Sequence, residues 1–455
     1  MDQTAAATLW EHAAGAALTS AGWAAAVEQA GQAQELYRQG GETRSAARAQ
    51  AIAGGALRRW GRYGEAREQL TAAVAVLRAD PDADTVQALG ELAAVEVFAG
   101  APEADALSAE ALALGQALAV DDATLAGLFT TRGLCHTRAG RRPEAAAYHR
   151  EAARLAEQAG DPVRLGRALV NLADAVTGTD PAAGAEAARG AAAHSRQAGA
   201  RDQLAVAVGN LAQALLMTGD WDGAEAELAH AADTDGLADI EFLACFRAWV
   251  AALLGDTPAA QAALAGLGDL RGSEDPQDQA LIAVAEAFTA AARGQPAATL
   301  SHARNALGHV GALGIGQELL RWAWPLAARA AYDLADTATT ADLLALLDGY
   351  RPGELAPMQR AERGLARARL TAADGGPGVG AAFAAAITGL RQHSTPYHLA
   401  HGLLDYAACL LRTREDEAAQ AAIGEAAGVA QRLRCQPLLD RADTIQPTRP
   451  RTAAS

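Results

Sequence analysis

Apolar residues recur along the chain at the spacing of an amphipathic helix, and the pattern repeats. The stretches 55–77, 135–160 and 214–232 each read as a helix, a glycine, two or three turn residues and a second helix that opens on Glu-Ala or a similar pair. No stretch alternates apolar and polar residues with the period of a strand. The pattern therefore predicts pairs of helices joined by short turns.

The turn residues follow one another at a nearly constant interval of about 40 residues. They fall at Gly22, Gly61, Gly100, Gly140, Asp180, Gly219, Gly255 and Gly294, and less regularly at Ala335, Gly375 and Arg414. Such helix pairs are too small to bury their apolar surface alone and become stable by stacking on their neighbours. The predicted fold is all-α, a right-handed superhelical α-solenoid of about eleven helix hairpins.

Small residues recur where the two helices of a pair must cross closely. They lie seven residues before the turn at Gly54, Gly133 and Ala212, five after it at Ala66, Ala145 and Ala224, and twelve after it at Ala73, Ala152 and Ala231. Short side chains at these places let two helix backbones approach, and bulky neighbours such as Leu70 fill the space between them.

This arrangement resembles the tetratricopeptide repeat. The segments 61–66 and 219–224 carry the Gly-x-Tyr/Trp-x-x-Ala turn of that family. The usual tetratricopeptide period is shorter, at about 34 residues, and a HEAT-like array with a period near 40 is the second interpretation. The turn sequence favours the tetratricopeptide type.

A narrower resemblance concerns the end of the chain. Segments 394–405 and 433–442 look like the ending of large actinobacterial signalling proteins, in which long-period repeats follow a STAND/AAA-type ATPase module and a cyclase or LuxR-type DNA-binding module. This chain has no phosphate-binding loop, no cyclase carboxylates and no helix-turn-helix. It is therefore interpreted either as the C-terminal regulatory region of such a protein or as a free-standing relative, and the resemblance assigns it no catalytic residue.

Composition narrows the function. Hydrophobic residues make up 51% of the 455 residues and charged residues 20%, which is enough apolar content to build a core. The net charge of -16, with no lysine in the chain, argues against nucleic-acid and anionic-membrane partners. Without a signal peptide or a long apolar run, a cytoplasmic location is expected.

The array is predicted to run as one continuous solenoid over 1–443, with a bend at 350–380 and a disordered tail at 444–455. The cysteines form no CxxC pair and are expected to be buried, reduced thiols, at Cys135, Cys245, Cys409 and Cys435. The oligomeric state stays open.

The groove of such a solenoid, lined by the first helix of each pair, is the candidate binding site. Residues expected to face it and to hold a protein or peptide partner are Asn171, Asp174, Asn210, Gln213, Arg132 and Arg138. Asn171 and Asn210 occupy matching repeat positions; in tetratricopeptide domains an Asn there often bonds the backbone of a bound peptide. The opposing interpretation is a set of solvated polar residues on an unused face.

The alternative from a different class is a metal-dependent enzyme. His393, His398 and His401 lie close in sequence, with Asp405 one turn further along the helix. No HExxH or GxSxG pattern supports catalysis. The expected function is therefore a non-catalytic protein-interaction or signal-sensing scaffold without a cofactor or a metal, or else a free-standing peptide-binding adaptor.

Overall fold

A computed structural model of the protein describes residues 3–19, 22–351, 353–375 and 378–445. Over these ranges the chain forms twenty-four α-helices and one short 3-10 turn, Leu270–Gly272, and no strand, which confirms the predicted all-α class. The chain divides into two compact units, unit 1 (Met1–Leu172) and unit 2 (Ala173–Ser455), and the boundary falls inside one helix. Continuity as a single solenoid and the bend at 350–380 stay predictions.

The helices of unit 1, with the one that crosses its boundary, are α1 (Gln3–Thr19), α2 (Trp23–Gln39), α3 (Thr43–Arg59), α4 (Tyr63–Leu77), α5 (Ala83–Ala99), α6 (Ala104–Ala117), α7 (Asp122–Arg138), α8 (Arg142–Gln158) and α9 (Pro162–Thr177). Those of unit 2 are α10 (Pro181–Ala198), α11 (Arg201–Thr218), α12 (Trp221–Asp233), α13 (Glu241–Leu254), α14 (Thr257–Ala265), α15 (Pro276–Ala292), α16 (Pro296–Leu307), α17 (Val310–Leu313), α18 (Glu318–Asp333), α19 (Thr337–Asp348), α20 (Pro357–Ala373), α21 (Val379–His393), α22 (Pro396–Thr413), α23 (Asp416–Arg432) and α24 (Gln436–Thr444).

Every predicted turn residue lies between the two helices of a pair, from α1–α2 to α22–α23, so the repeat is confirmed. At Gly61 the backbone takes a φ of +82°, which a residue without a Cβ adopts at low cost. Ala335 and Arg414 make the same turn with φ of +56° and +63° despite their side chains. Asp180 acts differently, because its side chain caps α10 by accepting a hydrogen bond of 3.0 Å from the Ala183 N–H.

The predicted close crossings are present within the hairpins. A Cβ on Gly54 would lie 2.5 Å from Leu70 Cγ, and one on Gly133 would lie 2.4 Å from the His149 ring. The predicted alanines at these crossings have no exposed surface: Ala66, Ala73, Ala145, Ala152, Ala212, Ala224 and Ala231. Small side chains therefore set the distance between paired helices, and larger ones fill the space around them.

Unit 2 contains a contact that the repeat pattern does not predict. Its last helices, α22–α24, here called the closing segment, pack against hairpins much earlier in the same unit. The Tyr397 ring lies 5.8 Å from the Trp221 ring and 6.3 Å from that of Phe288, and the His398 ring lies 5.0 Å from that of Trp322. A plain solenoid brings each repeat against its neighbours only.

Two turn glycines allow the closing segment to pack closely, because they have no side chain. A Cβ on Gly219 would lie 3.2 Å from Pro396 Cγ, and one on Gly255 would lie 2.9 Å from the Cβ of Gln436. The glycines that follow α11 and α13 therefore also leave room for Pro396 and Gln436 of the closing segment.

Arg434 adds an ionic contact at the edge of this closure. It donates a hydrogen bond of 2.9 Å to Glu225 and also pairs with Asp222, across 209 residues in the first case. All three side chains are about half exposed or more, so these ion pairs contribute little to the stability of the closed arrangement.

The four cysteines are free and buried, as predicted. In the part of the chain that the structure describes, no helix combines the length and the apolar character that crossing a bilayer needs. The predicted tail at 444–455 lies almost wholly outside the described residues; α24 ends at Thr444.

The close crossing at Gly54 gives the first prediction. Gly54→Ala places a methyl against the branch point of Leu70, and overpacking of this kind costs roughly 1–3 kcal/mol, which exceeds the gain of up to about 1 kcal/mol in helix propensity. We expect a net loss in the free energy of unfolding, measured by urea denaturation of the full chain.

The matched control is Gly64→Ala, since a Cβ there meets no atom within 4 Å. It should be neutral or stabilising. Equal stability of the two variants would contradict the account of the crossing.

Candidate functional site

Unit 1 gathers three arginines and one glutamate from three first helices of its pairs. Arg58 and Arg59 end α3, Glu91 lies on α5 and Arg167 on α9. Arg58 Nε donates to Glu91 at 2.6 Å and Arg59 Nη2 donates to the other oxygen of the same carboxylate at 2.8 Å. We call these four residues the arginine recess.

Glu91 is held in its ionised form. Burial by itself would raise its pKa, but the charges and hydrogen bonds of Arg58 and Arg59 outweigh burial and lower the pKa to about 2. The carboxylate therefore neutralises one arginine of the recess over the physiological range of pH.

Arg167 is the arginine of the recess that does not bind Glu91 directly. Its side chain is exposed, yet desolvation by surrounding protein, followed by the charges of Arg58 and Arg59, lowers its pKa. Protein therefore surrounds the guanidinium, although the residue as a whole is exposed. Within the described ranges this guanidinium makes no ion pair closer than 4 Å.

The recess carries a local surplus of positive charge, because three guanidinium groups face a single carboxylate. Guanidinium groups bind carboxylates through two parallel N–H···O bonds, which fixes both position and orientation. In a chain whose net charge is -16, such a surplus is a local exception. The recess is therefore suited to bind an acidic group.

The predicted groove residues of unit 1 lie in different settings. Asn171 is one turn beyond Arg167 on α9, and its Nδ2 donates to the Arg167 carbonyl at 2.9 Å. Arg132 is engaged inside the unit, with hydrogen bonds of 2.7 Å to the Asp105 carboxylate and 2.8 Å to the Asp105 carbonyl. Arg138 is exposed at a hairpin turn, where it donates to the Phe98 carbonyl at 3.4 Å. Only Asn171 adjoins the arginine recess.

The other three predicted residues belong to unit 2. Asp174 and Asn210 are half-buried, and each already has a polar partner. Gln213 has no exposed surface at all. Use of these residues by a peptide stays a prediction.

The repeat phase contained a signal for the recess that sequence reasoning missed. Glu91 lies nine residues before Gly100, and Asn171 lies nine residues before Asp180. Glu91 therefore occupies the same repeat position as Asn171, which was assigned to the groove. A carboxylate at a groove position predicts arginine partners nearby.

Exposed aromatic rings border the hairpin turns next to the recess in sequence. Trp60 follows Arg59 directly and is 44% exposed, while Tyr63 is 40% and Phe98 45% exposed. The rings of Tyr63 and Phe98 stack with centroids 5.8 Å apart, and the guanidinium of Arg62 lies 4.9 Å from the centre of the Trp60 ring. We call Trp60, Tyr63 and Phe98 the aromatic edge.

The histidines proposed as metal ligands lie in different surroundings. His393 is exposed at the end of α21, whereas His398 is buried with Nδ1 2.6 Å from Thr395 Oγ1. His401 Nδ1 lies 3.1 Å from Arg441 Nη1, a cation that competes with any metal. Among the described residues no group of three or more metal-ligand side chains is placed to hold a metal ion.

Asp405, the fourth member of that hypothesis, belongs to a buried ionic cluster. Arg369 donates to its Oδ2 at 2.8 Å through Nε and at 2.5 Å through Nη2, and Arg441 binds the other oxygen. These arginines hold the pKa of Asp405 well below its usual range against the effect of burial. Nearby Glu362 is the opposite case, because burial raises its pKa to about 7.

No protein-family model matches the chain, and no curated protein is significantly similar to it. Solved structures resemble it at low identity. A Rap protein complexed with competence and sporulation factor is 10% identical with a TM-score of 0.47, over 86% of this chain and 99% of that one. Yeast Tom70 is 13% identical (TM-score 0.39; 96% and 95% covered), and the APC/C hetero-tetramer Cut9–Hcn1 is 10% identical (TM-score 0.45; 97% and 93%). None reaches a TM-score of 0.5, so the fold assignment stands on the hairpins described above.

Glu362 gives a prediction about pH. Unfolded, this carboxyl ionises near its ordinary pKa of 4.5, but in the folded chain it keeps its proton up to about pH 7. Stability is therefore lost as the pH rises through that window, by roughly 1.4 kcal/mol for each unit. Glu362→Gln lacks this loss, so the variant should gain in free energy of unfolding relative to the parent between pH 5 and pH 8, as measured by urea denaturation.

Glu417→Gln is the matched control, because Glu417 is exposed and on the same unit. Its difference from the parent should be the same at both pH values. A Glu362→Gln difference that also stays constant would show that the buried carboxyl does not titrate in this range.

Proposed function

We propose that the chain is a non-catalytic interaction module in which unit 1 binds an acidic segment of a protein partner at the arginine recess. The observation that carries this proposal is Arg167, an exposed residue whose guanidinium lies beside two further arginines and only one carboxylate. An incoming carboxylate, from a side chain or a chain terminus, neutralises the surplus.

The surroundings of the arginine recess favour a protein over other acidic ligands. Stacked helix pairs offer an extended surface to a peptide or a folded partner. The overall negative charge repels nucleic acid outside the recess. The aromatic edge adds exposed Trp, Tyr and Phe rings, which are the residue types enriched in protein interfaces.

The cellular role belongs to the same proposal. The resemblance of 394–405 and 433–442 to the ends of signalling proteins favours a regulatory or sensing role in bacterial signal transduction, in the cytoplasm. The partner is then an ATPase or cyclase module, or a separate protein recognised by a free-standing adaptor. Asn171, one turn from Arg167, is the residue of the predicted groove best placed to contribute.

The test uses two fluorescent peptides of equal length on the full chain, one ending in Glu-Glu with a free carboxylate and one ending in Gln-Gln with an amide. Fluorescence anisotropy should show binding of the acidic peptide only, weakening as salt is added. Arg167→Gln should weaken it about tenfold, because a hydrogen bond to a charged group contributes roughly 1.5–3 kcal/mol.

Arg150→Gln is the control, since it removes the same charge from an exposed position on α8. It should change the affinity less than twofold. Equal losses in both variants, or no preference for the acidic peptide, would leave the recess without a binding role.

A further inference from the structure

The closing segment lines one side of an open cavity of about 360 Å³ in unit 2, which lies in the size range of pockets for small molecules. Its apolar wall includes Leu253, Phe288, Leu326 and Tyr397, and its polar wall includes Arg329 and His401. The wall draws on α13, α15 and α18 from one side and on α22 and α24 from the other. The cavity therefore exists only because the closing segment folds back.

Arg329 is the least satisfied charge of this wall. Its nearest carboxylate, Asp333, is 3.6 Å from Nε, which is longer than a hydrogen bond. Its Nη1 is buried and has no hydrogen-bond partner among the described residues. The side chain keeps 15% of its surface accessible, so part of the guanidinium remains within reach of a ligand.

The other polar groups of the wall include Arg441, His401 and the exposed carboxylate of Asp333. Arg441 lies beside His401, whose pKa is pushed well below its usual value by burial and then by neighbouring arginines. His401 is therefore a neutral ring, and its buried Nε2 finds no partner in the described part of the chain. Asp405 already makes ion pairs with Arg369 and Arg441, so it acts on Arg329 only through its charge.

The charges around Arg329 do not balance. Arg329, Arg369 and Arg441 lie near the exposed Asp333 and the buried Asp405, which leaves one positive charge in surplus when Glu362 carries its proton. An uncompensated charge that is mostly buried is costly, and a bound anion would lower that cost. Most of the remaining wall is apolar or aromatic, so the rest of the ligand should be apolar as well.

We propose that this cavity binds a small monocarboxylate with an apolar body, its carboxylate on Arg329 and its body between Phe288, Leu326 and Tyr397. The carboxylate belongs either to a free organic acid or to the end of a short peptide. This site is independent of the arginine recess of unit 1, and its failure would leave the proposed function untouched.

The test is calorimetric titration of the full chain with phenylacetate and with its neutral amide, phenylacetamide. The acid should bind at least tenfold more tightly than the amide. A tripeptide Ala-Ala-Phe, with a free or an amidated terminus, separates the two sources: binding of the free-terminus peptide in place of phenylacetate still supports carboxylate recognition and assigns it to a peptide end.

Arg329→Gln should reduce carboxylate binding at least tenfold, and Arg329→Lys should restore part of it. Arg432→Gln, an exposed arginine of the same unit, should leave it unchanged. Should Arg329→Gln fail to fold, the acid–amide comparison on the unaltered chain decides alone. Equal binding of acid and amide, or no saturable binding of any of the four probes, overturns the proposal.

Discussion

The packing of the closing segment against earlier hairpins is the contact on which the organisation of unit 2 depends. Tyr397 is central to it, because its ring meets Trp221, Phe288 and His401 and is itself buried. Large aromatic side chains contribute much of the energy of such packing. With the segment in place, the first helices of these hairpins cover a cavity and a buried ionic cluster. Without the closing segment, α22 and α24 would not lie opposite Arg329 and Asp333.

Unit 1 puts the same repeat to a different use. Its first helices α3, α5 and α9 bring charged side chains together at a recess in which Arg167 remains exposed. In both units the hairpin crossings are filled by small residues and fix the helices. The polar positions beside those crossings are then free to differ. Unit 1 gathers the arginine recess, and unit 2 lines an open cavity that includes Arg329.

Local features of the fold could be predicted from the sequence. The turn series and the small residues act within one hairpin, so their spacing reports the structure directly, as Gly54 against Leu70 and the turn at Gly61 illustrate. The closing contact could not be predicted in this way, because Arg434 and Glu225 are 209 residues apart and the repeat period carries no information about pairs at that separation. Gly219 and Gly255 did not indicate the closing contact either, since the turn in which each lies is enough to account for a glycine.

The site was predictable only in part, for a similar reason. The sequence singled out Asn171, which adjoins the recess. The three arginines come from two helices far apart in the chain, α3 and α9, and the recess is recognised only once these and α5 are placed. The histidines show the converse. His398 and His401 share a helix face as the spacing predicted, yet one ring nitrogen of each is occupied, that of His398 by Thr395 at the start of the same helix and that of His401 by Arg441 of α24.

The closure itself can be tested with a single chemical cross-link, because the chain contains no lysine. Arg434→Lys keeps the charge and introduces a unique side-chain amine, which a carbodiimide joins to a carboxylate only at contact distance. Mass spectrometry of the digested product should find position 434 linked to Asp222 or Glu225. Linkage only to neighbours in sequence such as Asp440, or no linkage, would contradict the closed arrangement of unit 2.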